Sequence, residues 1–154
     1  MQKRSFQFAT LGLILCLMSH LHSADAPPVK PVPTVTDARQ LPVEEYAWGT
    51  LKWLCNAKLA PGAMQTVGLA EILPGKRNAL HFHPNCEEVL YVISGQGTQS
   101  FDGRTAELKA GMTICIPAGV KHNLLNTGTE PIKCLISFSS GDRQTVFLED
   151  NPRK

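Results

Sequence analysis

Two histidines, His81 and His83, stand two residues apart in an extended-reading segment (ALHFHP). In a strand, side chains two apart share a face, so both imidazoles point the same way. Neutral imidazoles on one face are a ready pair of metal ligands. Glu88 follows five residues after His83. In a straight strand that odd separation would turn it away. Pro84-Asn85 breaks the run, so the next strand can bring Glu88 back to the same interior. His122 lies just beyond Pro117-Ala118-Gly119, a second turn that opens a strand. The two remaining histidines, His20 and His22, sit close to the N-terminus.

The elements that must position these groups read as short strands. Apolar runs fall at 48–55, 64–73, 78–83, 89–94, 98–101, 112–116, 123–125, 132–138 and 145–148. Each is strand-length and ends at turn residues, while no segment beyond residue 38 carries a long helical period. Gly95, Gly103, Gly111 and Gly119 recur every eight residues. The segments between them do not resemble one another, so this is turn punctuation and not a repeat. Asp102-Gly103 predicts a hairpin between Ser100-Phe101 and the stretch RTAEL. Strands of this length and spacing predict an all-β antiparallel sandwich or barrel over 38–154, with one short N-terminal helical turn.

The first 26 residues are expected to lie outside that fold. Lys3 and Arg4 precede an almost wholly apolar run (FQFATLGLILCLM), followed by a small, polar stretch. This is the order of a secretory signal peptide, and the apolar run is short for a membrane span. A secreted or periplasmic protein without a stable membrane anchor is expected. Pro27, Pro28, Pro31 and Pro33 then make residues 27–37 a stiff, extended linker. Without the leader, His81, His83 and His122 are the histidines that remain, together with Cys55, Cys86, Cys115 and Cys134. In an oxidising compartment the cysteines could pair in three ways; Cys115 and Cys134 also suit plain burial in their apolar runs. The chain has 154 residues, 43% of them hydrophobic and 18% charged, with a formal net charge of +2. No block of Lys and Arg offers a nucleic-acid surface.

The spacing of these residues closely resembles the cupin superfamily. Its first motif, G-x5-H-x-H-x4-E-x6-G, is matched by Gly75, His81, His83, Glu88 and Gly95. Its second, G-x5-P-x-G-x2-H-x3-N, is matched by Gly111, Pro117, Gly119, His122 and Asn126. All fixed positions of both motifs are filled, with 15 residues between them. The resemblance implies a conical antiparallel β-barrel, the double-stranded β-helix or jelly roll. It also implies one divalent transition metal (Fe, Mn, Ni, Cu, Co or Zn) held by His81, His83, Glu88 and His122. Glu87 could replace Glu88 if the loop were one residue tighter, but the gap to Gly95 favours Glu88. Cys86 reads as a loop residue, Lys121 as solvated, and Trp48 and Trp53 as packing or subunit contact. Glu71, Arg77 and Asn78 could approach the mouth of the site.

Four protein ligands on an octahedral metal leave two adjacent positions for a chelating substrate such as a hydroxy-acid or enol-ketone. The resemblance therefore implies a metal-dependent enzyme acting on a small oxygenated molecule, with dioxygenase chemistry first and isomerase or lyase chemistry as an alternative. The stretch PGKRNALHFHPNCEEVLYVISGQGT is also similar to the germin and auxin-binding branch. That implies a second class, a non-catalytic small-molecule binder, and a third, a structural or storage oligomer. A homodimer is expected from the family's habit of pairing edge strands.

Overall fold

The structure is a computed structural model and describes residues 33–154. The expected leader and most of the expected linker lie outside the described residues. Pro33 to Thr36 run exposed and without regular structure into a single 3-10 turn, Ala38–Gln40, capped by the Asp37 side chain. This is the short helical turn expected near the start of the domain.

Eleven strands follow: β1 Glu44–Tyr46, β2 Gly49–Cys55, β3 Thr66–Ile72, β4 His81–Phe82, β5 Glu88–Ser94 and β6 Gln96–Phe101. Then come β7 Arg104–Lys109, β8 Thr113–Ile116, β9 His122–Asn126, β10 Ile132–Phe138 and β11 Val146–Phe147. They form two antiparallel sheets, ordered β1-β2-β3-β10-β5-β8 and β11-β4-β9-β6-β7. The Asp102-Gly103 hairpin forms as expected, with both residues at positive φ and β6 paired to β7. Strand β1 was not foreseen, because Glu44-Glu45-Tyr46 has too little apolar alternation to register as a strand.

From β3 onward the chain moves back and forth between the sheets, which is a jelly-roll path. Most crossings fall at motif residues: Gly75 between β3 and β4, Gly95 between β5 and β6, Gly111 between β7 and β8, Pro117 to Gly119 between β8 and β9. Gly95 shows why glycine is needed there. Its φ is +85°, and an added Cβ would stand 2.8 Å from the Ile132 Cα.

The expectation of a closed conical barrel is corrected. The two sheets face each other, but no ladder joins β1 or β8 of the first to β7 or β11 of the second. The backbone pairing stops at the edge strands of each sheet, and only turns and loops carry the chain from one sheet to the other.

The core lies between the sheets. In β5, Glu88, Leu90 and Val92 point inward and Val89, Tyr91 and Ile93 outward. In β10 the inward set is Ile132, Cys134, Ile136 and Phe138. Each buried aliphatic contributes about 1.5–3 kcal/mol of hydrophobic stabilisation. Cys55, Cys86, Cys115 and Cys134 are all free thiols. Among the described residues, no helix is long and apolar enough to cross a membrane.

Candidate metal centre

The period-2 geometry places the histidines as their spacing predicts. His81 opens β4 and is the cross-strand partner of His122 in β9, so their rings lie 4.3 Å apart, centroid to centroid. His83 follows β4 on the same face. His81 and His122 belong to the second sheet, and His83 follows directly on its strand β4. Glu88 begins β5 in the first sheet and reaches across the interior. Glu87, its neighbour, is exposed, so alternation along β5 decides between the two carboxylates in favour of Glu88. The donor atoms of His81, His83, Glu88 and His122 all lie within 4.8 Å of one another, and all four residues are buried.

Backbone carbonyls orient each ring. His81 Nδ1 lies 2.7 Å from Ala79 O, His83 Nδ1 2.7 Å from Gln144 O, and His122 Nδ1 2.8 Å from Val120 O. A carbonyl oxygen only accepts, so each Nδ1 must be the protonated donor. Each Nε2 therefore faces the centre, where a neutral ring presents a lone pair, and in the metal-free protein His122 Nε2 donates to Glu88 Oε2 at 3.1 Å. The backbone N–H of Gly119 donates to the His83 carbonyl at 2.8 Å and ties the loop before His122 to the His81–His83 segment.

The donor set fits a metal ion. Donors held 2.0–2.2 Å from one cation stand ~3 to 4.3 Å apart, close to the spread seen here. His83 Nε2 is buried and has no hydrogen-bond partner. It lies 3.2 Å from Glu88 Oε2, but out of line for a hydrogen bond. Three converging Nε2 atoms and a carboxylate, all on buried residues, call for a cation, and backbone-fixed Nδ1–H groups are the usual outer support of such a centre. The set could hold one metal ion. Imidazole with carboxylate is a borderline donor mix that suits Mn, Fe, Co, Ni, Cu or Zn.

The protonation pattern follows from the same contacts. Burial, reinforced by His122, pushes His81 down to about 4, with Glu88 opposing. Burial would lower His122 too, but the hydrogen-bonding Glu88 carboxylate, at 3.1 Å, outweighs it and raises His122. Burial would raise Glu88, yet His122 and His83 hold it well below the usual carboxylate range.

The centre opens into a cavity of about 310 Å³ lined from both sheets by Trp53, Leu90, Phe138 and Phe147 among others. Trp48 belongs to the buried core and Trp53 packs against it, as expected, and both rings also line the cavity. Trp48 sits in the turn between β1 and β2, and Trp53 lies in β2. Asn78 also lines the cavity, whereas Glu71 pairs with Lys133 and Arg77 with Glu149 on the outside. Cys86 is a buried loop residue outside the donor cluster and Lys121 is exposed, both as expected. Asn126 donates to the carbonyls of Ile72 and Glu130 and accepts from Gly128 N–H, pinning the loops at the far end of β9.

Sequence reasoning missed Arg143, Thr145 and Gln99, which line the same cavity. Arg143 lies in a polar, turn-like stretch (SSGDRQ) that reads as solvated, while Thr145 and Gln99 are polar residues within the strand-like runs 145–148 and 98–101. No local signal marks them.

Comparison with known proteins agrees with this geometry. Residues 68–138 match the family described as "Cupin domain". Polyketide synthase CurC of Streptomyces cyaneus is 30% identical over 107 residues, covering 70% of each protein. Auxin-binding protein 1 of Arabidopsis thaliana is 28% identical over 152 residues, covering 92% of this chain and 76% of that one. A solved Bacillus subtilis oxalate decarboxylase, studied for its Mn(II) centres, superposes with a TM-score of 0.62 at 27% identity. That match covers 68% of this chain but only 30% of the decarboxylase.

Proposed function

Because the chain belongs to the cupin family, we propose that it is an exported metal-dependent enzyme acting on a small oxygenated molecule bound between the metal and the cavity wall. The observation that carries this reading is the convergence of three backbone-oriented Nε2 atoms and the Glu88 carboxylate inside a cavity. A divalent metal held there supplies Lewis-acid polarisation of substrate oxygens, or oxygen activation if it is redox-active. The protein's own share is placement. His81, His83, His122 and Glu88 fix the ion in a water-poor interior, and Trp53, Phe138 and Leu90 surround the bound molecule with apolar surface that strengthens every electrostatic contact.

Dioxygenase chemistry is the first reading. Lyase chemistry is the second, supported by the likeness to oxalate decarboxylase. A non-catalytic binder is the third, supported by the likeness to auxin-binding protein 1 along 92% of the chain. Metal analysis of the purified protein, followed by an oxygen-uptake screen over flavonols, enols and keto-acids, separates them. A redox metal with oxygen uptake is expected. A non-redox metal with no uptake sinks the dioxygenase and leaves the lyase and the binder, which product analysis then distinguishes. Joint replacement of His81 and His83 by Ala should abolish metal occupancy. Stoichiometric metal in that variant would refute the ligand assignment.

Export is supported by the leader-like start of the chain. N-terminal sequencing of the mature protein should begin close to residue 27, and an intact Met1 would overturn it. A homodimer is supported by the exposed outward residues Val89, Tyr91 and Ile93 of β5, beside the edge strand β8. Sedimentation should give a dimer that Tyr91→Glu weakens, and a monomeric wild type would refute the arrangement.

A further inference from the structure

We infer that Arg143 anchors a carboxylate of the bound molecule, so that the ligand of this cavity is a small organic carboxylic acid. The inference rests on the proposed function in that it names the chemical class held at the same site. Arg143 lies between β10 and β11. Its guanidinium carbon is 4.4 Å from the centroid of a Trp53 ring and 4.9 Å from that of Phe138. The two rings, tilted to each other with centroids 6.3 Å apart, therefore cradle it by cation–π contact. Phe138 in turn packs edge-on against His83, with centroids 4.9 Å apart. The cation is thus one ring away from the candidate metal centre, and both line one cavity.

The hydrogen-bonding of Arg143 is incomplete. A guanidinium has five N–H donors. Among the described residues, its hydrogen bond is the one from Nη1 to Thr145 Oγ1. Nε is buried and has no partner. No carboxylate pairs with it: the described ion pairs of acidic groups engage Arg39, Arg77, Lys133, Arg153, His83 and His122. Glu88, the buried carboxylate of this interior, is committed to the two histidines.

Arg143 is half-buried, and a cation drawn part-way from water with a buried donor left idle is costly unless something completes it. The planar fork of arginine matches a carboxylate in two parallel hydrogen bonds. Gln99 supplies a second, independent sign that the cavity is built for a polar guest. Its side chain is fully buried on β6, lines the same cavity, and leaves Oε1 without a partner. That oxygen would accept a hydrogen bond from a hydroxyl or enol of the ligand. A carboxylate on Arg143 and a hydroxyl near Gln99 would orient the body of the molecule over Phe138 toward His83.

Calorimetric titration with glycolate, pyruvate and benzoate, each compared with its uncharged amide, tests this. Trp53 fluorescence provides a second readout, because the ring stacks on the guanidinium. Each titration is run on Mn(II)-loaded and on chelator-treated protein. At least one acid should bind ten-fold or more tightly than its amide in both forms. Arg143→Gln should abolish that preference, and Arg143→Lys, which keeps the charge but loses the fork, should fall between. Equal binding of acids and amides overturns the inference, as does Arg143→Gln binding acids within two-fold of wild type. If Arg143→Gln does not fold, Arg143→Met, which preserves apolar contact with the rings, takes its place under the same criteria. Failure of Mn(II) to bind would refute the metal reading alone, and the chelated arm would still judge Arg143.

Discussion

Replacing His81 by phenylalanine in the metal-free protein tests whether the centre is organised to keep this ring neutral. Burial and the neighbouring His122 lower His81 from its ordinary 6.5 to about 4. The folded state thus resists a proton that the unfolded chain accepts. Above pH 6.5 both states are neutral at this ring, and its contribution is constant. As pH falls from 6.5 toward 4, only the unfolded chain gains the proton, and stability is lost by about 1.4 kcal/mol per pH unit. Between pH 6.5 and 4.5 the loss amounts to about 2.7 kcal/mol. Two partners act outside this window. His122, whose folded value is raised, contributes stability that is already complete below pH 6.5 and is lost as pH rises through its folded value. Glu88, whose value is lowered, loses its contribution only as pH falls below the ordinary carboxylate range. Urea unfolding in the presence of a chelator would be followed from pH 7.5 to 4.5 for wild type and His81→Phe. The variant also loses the bond to Ala79 O, which displaces its whole curve but not its slope. The stability advantage of wild type over the variant should therefore shrink by about 2.7 kcal/mol across the window. Parallel curves, with a gap constant to about 0.5 kcal/mol, would refute the reasoning, since His81 would then take up its proton equally in both states.

Three further outcomes are expected. Metal binding should displace the proton that Glu88 holds on His122, so affinity should fall about ten-fold per unit once pH drops below the raised His122 value, measured by competition titration; pH-independent affinity would contradict this. Asn126→Ala removes three hydrogen bonds at a site 1% exposed and should cost about 3 kcal/mol in urea unfolding. A cost below about 1 kcal/mol would show that water or relaxation replaces them. Gly95→Ala puts a Cβ 2.8 Å from the Ile132 Cα at a φ of +85° and should destabilise by at least about 2 kcal/mol, read from the shift in Tm. An unchanged Tm would mean that the crossing between β5 and β6 can relax.

The sequence by itself determined the parts whose cause is local. Period-2 alternation forces His81 and His83 to share a face, and it places His122, Leu124 and Asn126 together along β9. The eight-residue punctuation marks where the chain turns, and the motif spacing brings Glu88 rather than Glu87 inward. Ala79 and Val120, just before β4 and β9, orient two of the rings from only two residues away, a contact local to each segment. Tertiary structure decided the rest. The strands assort into two facing sheets without closing into a barrel, because edge pairing depends on where strands distant in sequence end. His83 takes its carbonyl from Gln144, 61 residues away. Arg143 looks like a solvated turn residue in the sequence, and becomes a half-buried cation only because Trp53 of β2 and Phe138 of β10 pack against it. A side chain's solvent, and hence its chemistry, is set by neighbours that the linear pattern does not bring together.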